Sequence, residues 1–148
     1  MIIVPWREQM SLDYLPLDEE HQAFLDVVNR SLVASRNADF DTMEQVFETS
    51  YNYVCNHFAH EEEIMERVNF PDMEAHLVAH RTFIQNISEF RQRYEAKTDR
   101  VEKQKEAIKA ADFLHLWFIG HVLSRDKLLK PYLVRLRNLP PRMNYDTP

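Results

Sequence analysis

Apolar residues recur along most of the chain in steps of three and four, the spacing of one helical face. The longest run is Met43, Val46, Phe47, Ser50, Val54, His57, Glu61, Ile64 and Val68. A second is Met73, His76, Leu77, His80, Phe83, Ile84, Ile87, Phe90 and Tyr94. A shorter stripe, Phe24, Leu25, Val28 and Leu32, extends back one turn to His21. The last holds Ile108, Ala111, Leu114, Trp117, Phe118, His121, Val122, Asp126 and Leu129. Four helices are predicted. Asp18 is expected to N-cap the first, which runs to about Ser35. Asp41-Thr-Met-Glu44 and Asp99-Arg-Val-Glu102 resemble capping boxes that open the second and fourth. Pro71 suits the first turn of the third, and Pro131 is expected to end or kink the fourth, leaving Tyr132, Leu133 and Leu136 as a short packed turn.

Residues 1–17 read as an extended arm, because Pro5 and Pro16 disfavour helix there, while Trp6, Tyr14 and Leu15 are available to pack on the bundle. Residues 138–148 read as a frayed tail. One glycine in 148 residues is too few for the turns of a sheet protein and suits long helices with short loops. The expected architecture is all-α: an up-down-up-down antiparallel four-helix bundle over residues 18–137.

The polar members of these stripes carry the chemistry. His57 and Glu61 are four apart, as are His76 and His80, so each pair projects from one face, one turn above the other. An inward glutamate is costly unless it is paired or bound to a metal, and inward histidines need partners that apolar neighbours cannot supply. His121 and Asp126 are five apart, about 140° around an ideal helix. Both can reach inward if they flank the centre of a broad apolar arc near Phe118 and Val122; a π-type widening near His121 would bring them closer, and an unbroken α-helical ladder from Phe118 to Leu129 would remove that widening. His60, Glu62, Glu63 and Glu66 fall off the stripe and read as a solvated face, and Cys55 as a small packing residue.

Counting from the turns places these groups at one height. The midpoint of His57 and Glu61 lies ten residues before the turn near residue 69, and that of His76 and His80 nine residues after it. His21 and the His121–Asp126 pair match to within four or five residues, roughly 6–7 Å of rise. One cross-section is therefore expected to hold His21, His57, Glu61, His76, His80, His121 and Asp126. Seven ligands are too many for one tetrahedral zinc. Imidazole and carboxylate without thiolate suit a pair of first-row transition ions bridged by carboxylates, iron foremost. Neutral imidazoles leave such a pair more positive than carboxylates would, which favours reversible binding over oxidation chemistry.

Composition narrows the setting. The formal net charge is −6 with no basic cluster, against nucleic acid or an anionic membrane as partner. A single cysteine excludes an intramolecular disulfide, and the first residues lack a signal-peptide plan, so a cytoplasmic protein is expected.

With these residues in place the chain resembles the hemerythrins, bacterial single-domain members above all. The resemblance covers about residues 13 to 133 and rests on Asp18-Glu-Glu-His21 with Asn29 following, His57-Phe58-x-x-Glu61-Glu62-x-x-Met65, Phe70-Pro71, His76-x-x-x-His80-x-x-Phe83 and Trp117-x-x-x-His121-x-x-x-x-Asp126. It implies two iron ions with an oxo or hydroxo bridge. His76, His80 and His121 would hold one iron, His21 and His57 the other, and Glu61 and Asp126 would bridge both. The two-histidine iron keeps a position open for dioxygen, with nitric oxide or small anions such as azide as further guests. Phe58, Trp117, Phe118, Val122 and Leu25 are the candidates for the apolar lining that keeps water out. Phe118 stands where the family usually carries a smaller aliphatic residue, which narrows the pocket or the gas route. The implied function is a monomeric oxygen carrier, store or supply protein rather than an enzyme; the alternative is an oxygen, nitric oxide or redox sensing domain.

Overall fold

The computed structural model describes residues 3–137, and the expected tail at 138–148 lies outside them. Four long helices form the bundle: α1 (Leu15–Arg36), α2 (Phe40–Arg67), α3 (Met73–Ala96) and α4 (Arg100–Gly120). A π turn (His121–Arg125) and a 3-10 turn (Asp126–Leu129) continue α4 into the short α5 (Lys130–Arg137). α1 packs against α2 and α4, and α3 packs against the same two, which closes the four-helix ring. No helix among the described residues is long and apolar enough to cross a membrane.

The stripes read from the sequence are the buried faces, but several boundaries differ. α1 begins at Leu15, not Asp18, with Pro16 in its first turn, where a missing N–H costs nothing. Asp18 caps the arm instead of the helix: its carboxylate accepts from the Leu12 N–H (2.8 Å) and the Ser11 hydroxyl (2.6 Å). The cap of α2 is Asp39, whose side chain accepts from the Thr42 N–H and hydroxyl, so Asp41 lies within the first turn. Asp99 caps α4 through the Glu102 N–H as expected.

The α2–α3 corner explains Pro71. Asn69 adopts φ 55°, the Phe70 N–H returns to the Met65 carbonyl (2.9 Å) and the Asn69 N–H to that of Glu66 (3.2 Å). This is a Schellman closure, and Pro71 follows it as a stop signal rather than opening α3, which starts at Met73. The α1–α2 corner closes the same way with Ala38 at φ 52°. In a chain this poor in glycine, an alanine takes the left-handed position at a cost of about 1 kcal/mol. Pro131 likewise does not break the chain; the α geometry stops at Gly120, and Pro131 sits in the first turn of α5.

The arm is more ordered than an extended strap. Val4 exchanges two backbone hydrogen bonds with the Asn29 side chain (2.8 and 2.9 Å). Residues Glu8–Met10 form a 3-10 turn that rests on the π turn. Val4, Met10 and Leu12 are buried, Trp6 and Tyr14 partly so, whereas Leu15 is exposed because α1 turns it outward.

The core is divided in two. One cluster fills the body of the bundle and includes Phe24, Val54, Phe58, Phe83 and Phe118. The other, with Leu17, Ile64, Phe70, Leu129 and Leu133, closes the end formed by the arm, the α2–α3 corner and α5. On every long helix a buried histidine or carboxylate lies between the two. His21 separates Leu17 from Phe24, Glu61 separates Phe58 from Ile64, His76 and His80 separate Phe70 from Phe83, and His121 and Asp126 separate Phe118 from Leu129.

Candidate metal centre

The seven residues expected at one height do meet. They form two overlapping groups whose ligand atoms lie within 4.8 Å of one another: Glu61, His76, His80, His121 and Asp126, and His21, His57, Glu61 and Asp126. All seven are buried.

The two carboxylates are shared, and each splits its oxygens between the groups. Glu61 Oε1 faces His76 Nε2 (2.5 Å) and His80 Nε2 (3.2 Å), while Oε2 faces His57 Nε2 (3.3 Å) and His21 Nε2 (3.7 Å). Asp126 Oδ1 faces His76 and His121 Nε2, both at 3.0 Å, while Oδ2 faces His21 Nε2 (3.1 Å). These contacts are short, yet the carboxylate oxygens and the Nε2 atoms of His21, His76, His80 and His121 have no partner of hydrogen-bond geometry. They converge on common points rather than on one another. Two ligands at right angles on an ion with bonds of about 2.1 Å stand about 3.0 Å apart, which is the spacing seen here. So many buried polar atoms without partners would be a severe cost in a finished structure. The donor set therefore fits two cations.

The π turn delivers the last two ligands. The Asp126 N–H bonds the His121 carbonyl, five residues back, so one wide turn stacks the two side chains as four residues would in an α-helix. The ladder from Phe118 to Leu129 is thus interrupted at the five-residue gap.

Without metal the cluster stores protons. Burial opposes charge on His21, but Asp126 and Glu61 outweigh it and raise its pKa to about 10. The same balance raises His76 to about 9. His57 is also raised, with Glu20 and Glu61 overcoming burial. Burial would push Glu61 and Asp126 up, yet the surrounding histidines hold both carboxylates well below their usual range.

A second layer of residues went unread in the sequence. His57 Nδ1 faces Glu20 Oε1 (3.4 Å), whose other oxygen meets His60 Nδ1 (2.7 Å). His80 Nδ1 faces Glu62 Oε1 (3.2 Å). A carboxylate on the outer ring nitrogen fixes the tautomer and turns the Nε2 lone pair inward. His60 and Glu62 are therefore not simply a solvated face. The available signal was position: Glu20 and Glu62 each adjoin an inward residue, about 100° around the helix, on the flank that reaches a neighbouring helix.

Aromatic rings hold the histidines from the other side. Phe58 lies flat on His80 (centroids 3.7 Å, 2°), Trp117 on His121 (4.3 Å, 13°) and Tyr53 on His57 (5.9 Å, 14°). A cavity beside the cluster leaves about 10 Å³ for the centre of a water-sized guest. Phe58, Trp117, Phe118 and Val122 line it, together with Phe24, Tyr53 and Val54, whereas Leu25 is buried in the core and is not among its lining residues. Burial pushes the Tyr53 phenol above its ordinary pKa, with Glu20 and Glu61 adding to the effect, so it keeps its proton.

Comparison with known proteins gives a consistent picture. The family model for the hemerythrin HHE cation binding domain matches residues 14–133. Bacteriohemerythrin of Stenotrophomonas maltophilia (strain R551-3) is 25% identical over 127 residues, covering 86% of this chain and 79% of that protein. Bacteriohemerythrin of Pseudomonas aeruginosa (strain LESB58) is 26% identical over 121 residues, covering 82% and 75%. Myohemerythrin of Theromyzon tessulatum is 23% identical over 121 residues, covering 82% and 86%. In fold, a crystal structure of a leucine-to-tyrosine hemerythrin mutant superposes with a TM-score of 0.77 at 21% identity, covering 90% of this chain and 98% of that one. With four helices converging on a buried layer of five histidines and two shared carboxylates, and with a family match across the whole bundle, this chain belongs to the hemerythrin family.

Proposed function

We propose that this chain is a non-heme di-iron protein that binds dioxygen reversibly, as a carrier, store or supply. His76, His80 and His121 would hold one iron, His21 and His57 the other, and Glu61 and Asp126 would bridge them together with an oxo or hydroxo group. The observation that carries this reading is the division of each carboxylate, one oxygen toward each histidine group. A mononuclear site has no use for that arrangement. The irons would supply the electrons and the open position that dioxygen requires.

The protein's part is to bind, orient and exclude. Five neutral imidazoles would leave the two irons more positive than carboxylates in their places would, which favours the reduced resting pair. Glu20 and Glu62 from one side and the stacked aromatic rings from the other fix the imidazole planes. The cavity is lined by His21 and His57, the half with fewer ligands, and also by His121 and Asp126, and Phe24, Phe118 and Val122 keep bulk water from it. At about 10 Å³ for the guest's centre it is at the lower limit for a single water-sized guest, and has no room for a larger co-substrate. Binding rather than turnover is the reading this supports. The acidic chain with one cysteine is read as a cytoplasmic monomer, with the hemerythrin unit spanning α1 to α5.

The test is anaerobic loading and reduction followed by air, watched by visible absorption. Two irons per chain and a charge-transfer band that appears in air and vanishes under vacuum are expected. Protein that takes up zinc alone, or that is metal-free with full stability, would sink the assignment. A single irreversible oxidation would favour the sensing alternative. That alternative has a structural basis. The arm's 3-10 turn rests on the π turn that carries His121, and Lys127 donates to the Gln9 carbonyl, so a shift at the irons has a path to the surface.

A further inference from the structure

One buried polar group beside the cavity is used by nothing described so far. Tyr53 sits one turn before His57 on α2, its ring parallel to the His57 imidazole and to Phe24 (5.5 Å, 6°). Its hydroxyl is sealed from solvent and has no hydrogen-bond partner in the protein. A phenol so placed forgoes a hydrogen bond it would make in water. Phenylalanine would give the same stack without that cost. Among the lining residues outside the metal cluster, only Tyr53 and Trp117 carry a donor. Trp117 lies against His121, on the three-histidine half, whereas Tyr53 lies against His57, on the half proposed to stay open.

We propose that Tyr53 is the hydrogen-bond donor for the guest of this cavity, its O–H directed to the outer atom of a small acceptor such as azide or dioxygen. This rests on the di-iron reading above. The hydroxyl's missing partner is then the ligand itself, and the orphan is a binding group awaiting its acceptor. A donor on this wall selects for guests with an electron-rich outer atom and slows their escape, while the rest of the lining stays apolar.

The experiment is azide titration of the iron-loaded, oxidised full-length chain, wild type against Tyr53→Phe. Wild type is expected to bind azide with a visible charge-transfer band, and the variant to bind at least ~10-fold more weakly, mainly through faster dissociation. The azide stretching frequency should move between the two proteins. The thermal midpoint of the metal-free variant should equal or exceed that of wild type, because only an unpartnered hydroxyl is lost. Equal affinities and an unmoved azide stretch would overturn the proposal, whatever the thermal midpoint. Failure of wild type to hold two irons or to bind azide would instead overturn the di-iron reading on which it rests.

Discussion

Loading the metal-free protein at pH 8 should expel about two protons from its histidines. Metal ligands must be neutral imidazoles, whereas in the metal-free cluster His21 and His76 titrate near 10 and near 9. At pH 8 they are about 99% and about 91% protonated, so nearly two protons must leave; at pH 9.5 the fractions are about 76% and about 24%, and about one leaves. Calorimetric titration with cobalt(II) or anaerobic ferrous iron, in buffers of different ionisation enthalpy, reads this number from the slope. Hydroxide formed at the metals would add protons and would not fall with pH, so the decline is diagnostic. A release near zero at pH 8, or one that fails to drop by pH 9.5, would refute the protonated cluster.

The same shifts set the stability of the metal-free form. His21 and His76 have folded values above their unfolded ones, so their contribution is complete below about pH 6.5 and is lost as pH rises through 9 to 10. For His21 alone it is on the order of 5 kcal/mol, a large part of a typical domain's stability. Glu61 and Asp126 are depressed, so their contribution is present above about pH 4 and lost as pH falls below it. The metal-free midpoint should therefore peak between about pH 5 and 6.5. The loaded protein should lack the alkaline decline, since metal replaces the protons.

Four substitutions probe the cavity wall, the outer carboxylate and its neighbour, and a ligand separately. Phe118→Leu removes a buried ring from the cavity wall; it should cost about 1–2 kcal/mol in denaturant unfolding and speed oxygen release and autoxidation in stopped flow, and unchanged rates would remove Phe118 as a gate. Glu20→Gln should weaken metal retention by about 10–100-fold in a chelator competition, while His60→Ala, which leaves the Glu20–His57 contact in place, should retain both metals; equal retention by the two variants would mean Glu20 does not act through His57. His76→Ala removes an imidazole that approaches both carboxylates, as His21 also does, and should leave fewer than two irons per chain and a lower melting temperature, checked by elemental analysis and calorimetry.

The sequence makes some of this plain and hides the rest for identifiable reasons. Helix periodicity exposes an inward polar residue as an interruption, which is why His57, Glu61, His76 and His80 stand out. The five-residue gap between His121 and Asp126 allows either a broad inward arc or a π turn, and the structure has the π turn. Periodicity says nothing about the flanks. Glu20 and Glu62 look like ordinary surface charge until a neighbouring helix brings a ring nitrogen to each. Asp18 has the composition of a cap, but its partner, the Leu12 N–H, arrives only because the arm folds back over α1. Leu25 continues the His21 stripe, yet Phe24 lines the cavity, because a helix face is broader than one column of residues.

The π turn makes the centre depend on its register. Only His121 and Val122 of its five residues are buried; Leu123, Ser124 and Arg125 face solvent, and replacing them should matter little. Straightening the turn without removing a residue would be another matter. With all five residues in an α register the chain beyond would rotate by about 100°, carrying Asp126 out of the cluster and Leu129 and Leu133 off the end cluster they share with Leu17 and Phe70. Deleting one of the three exposed residues should instead be tolerated, because a four-residue spacing lets an ordinary α turn stack His121 and Asp126; the wide turn is what keeps the proposed bridge and the seal beneath it in phase with a fifth residue present.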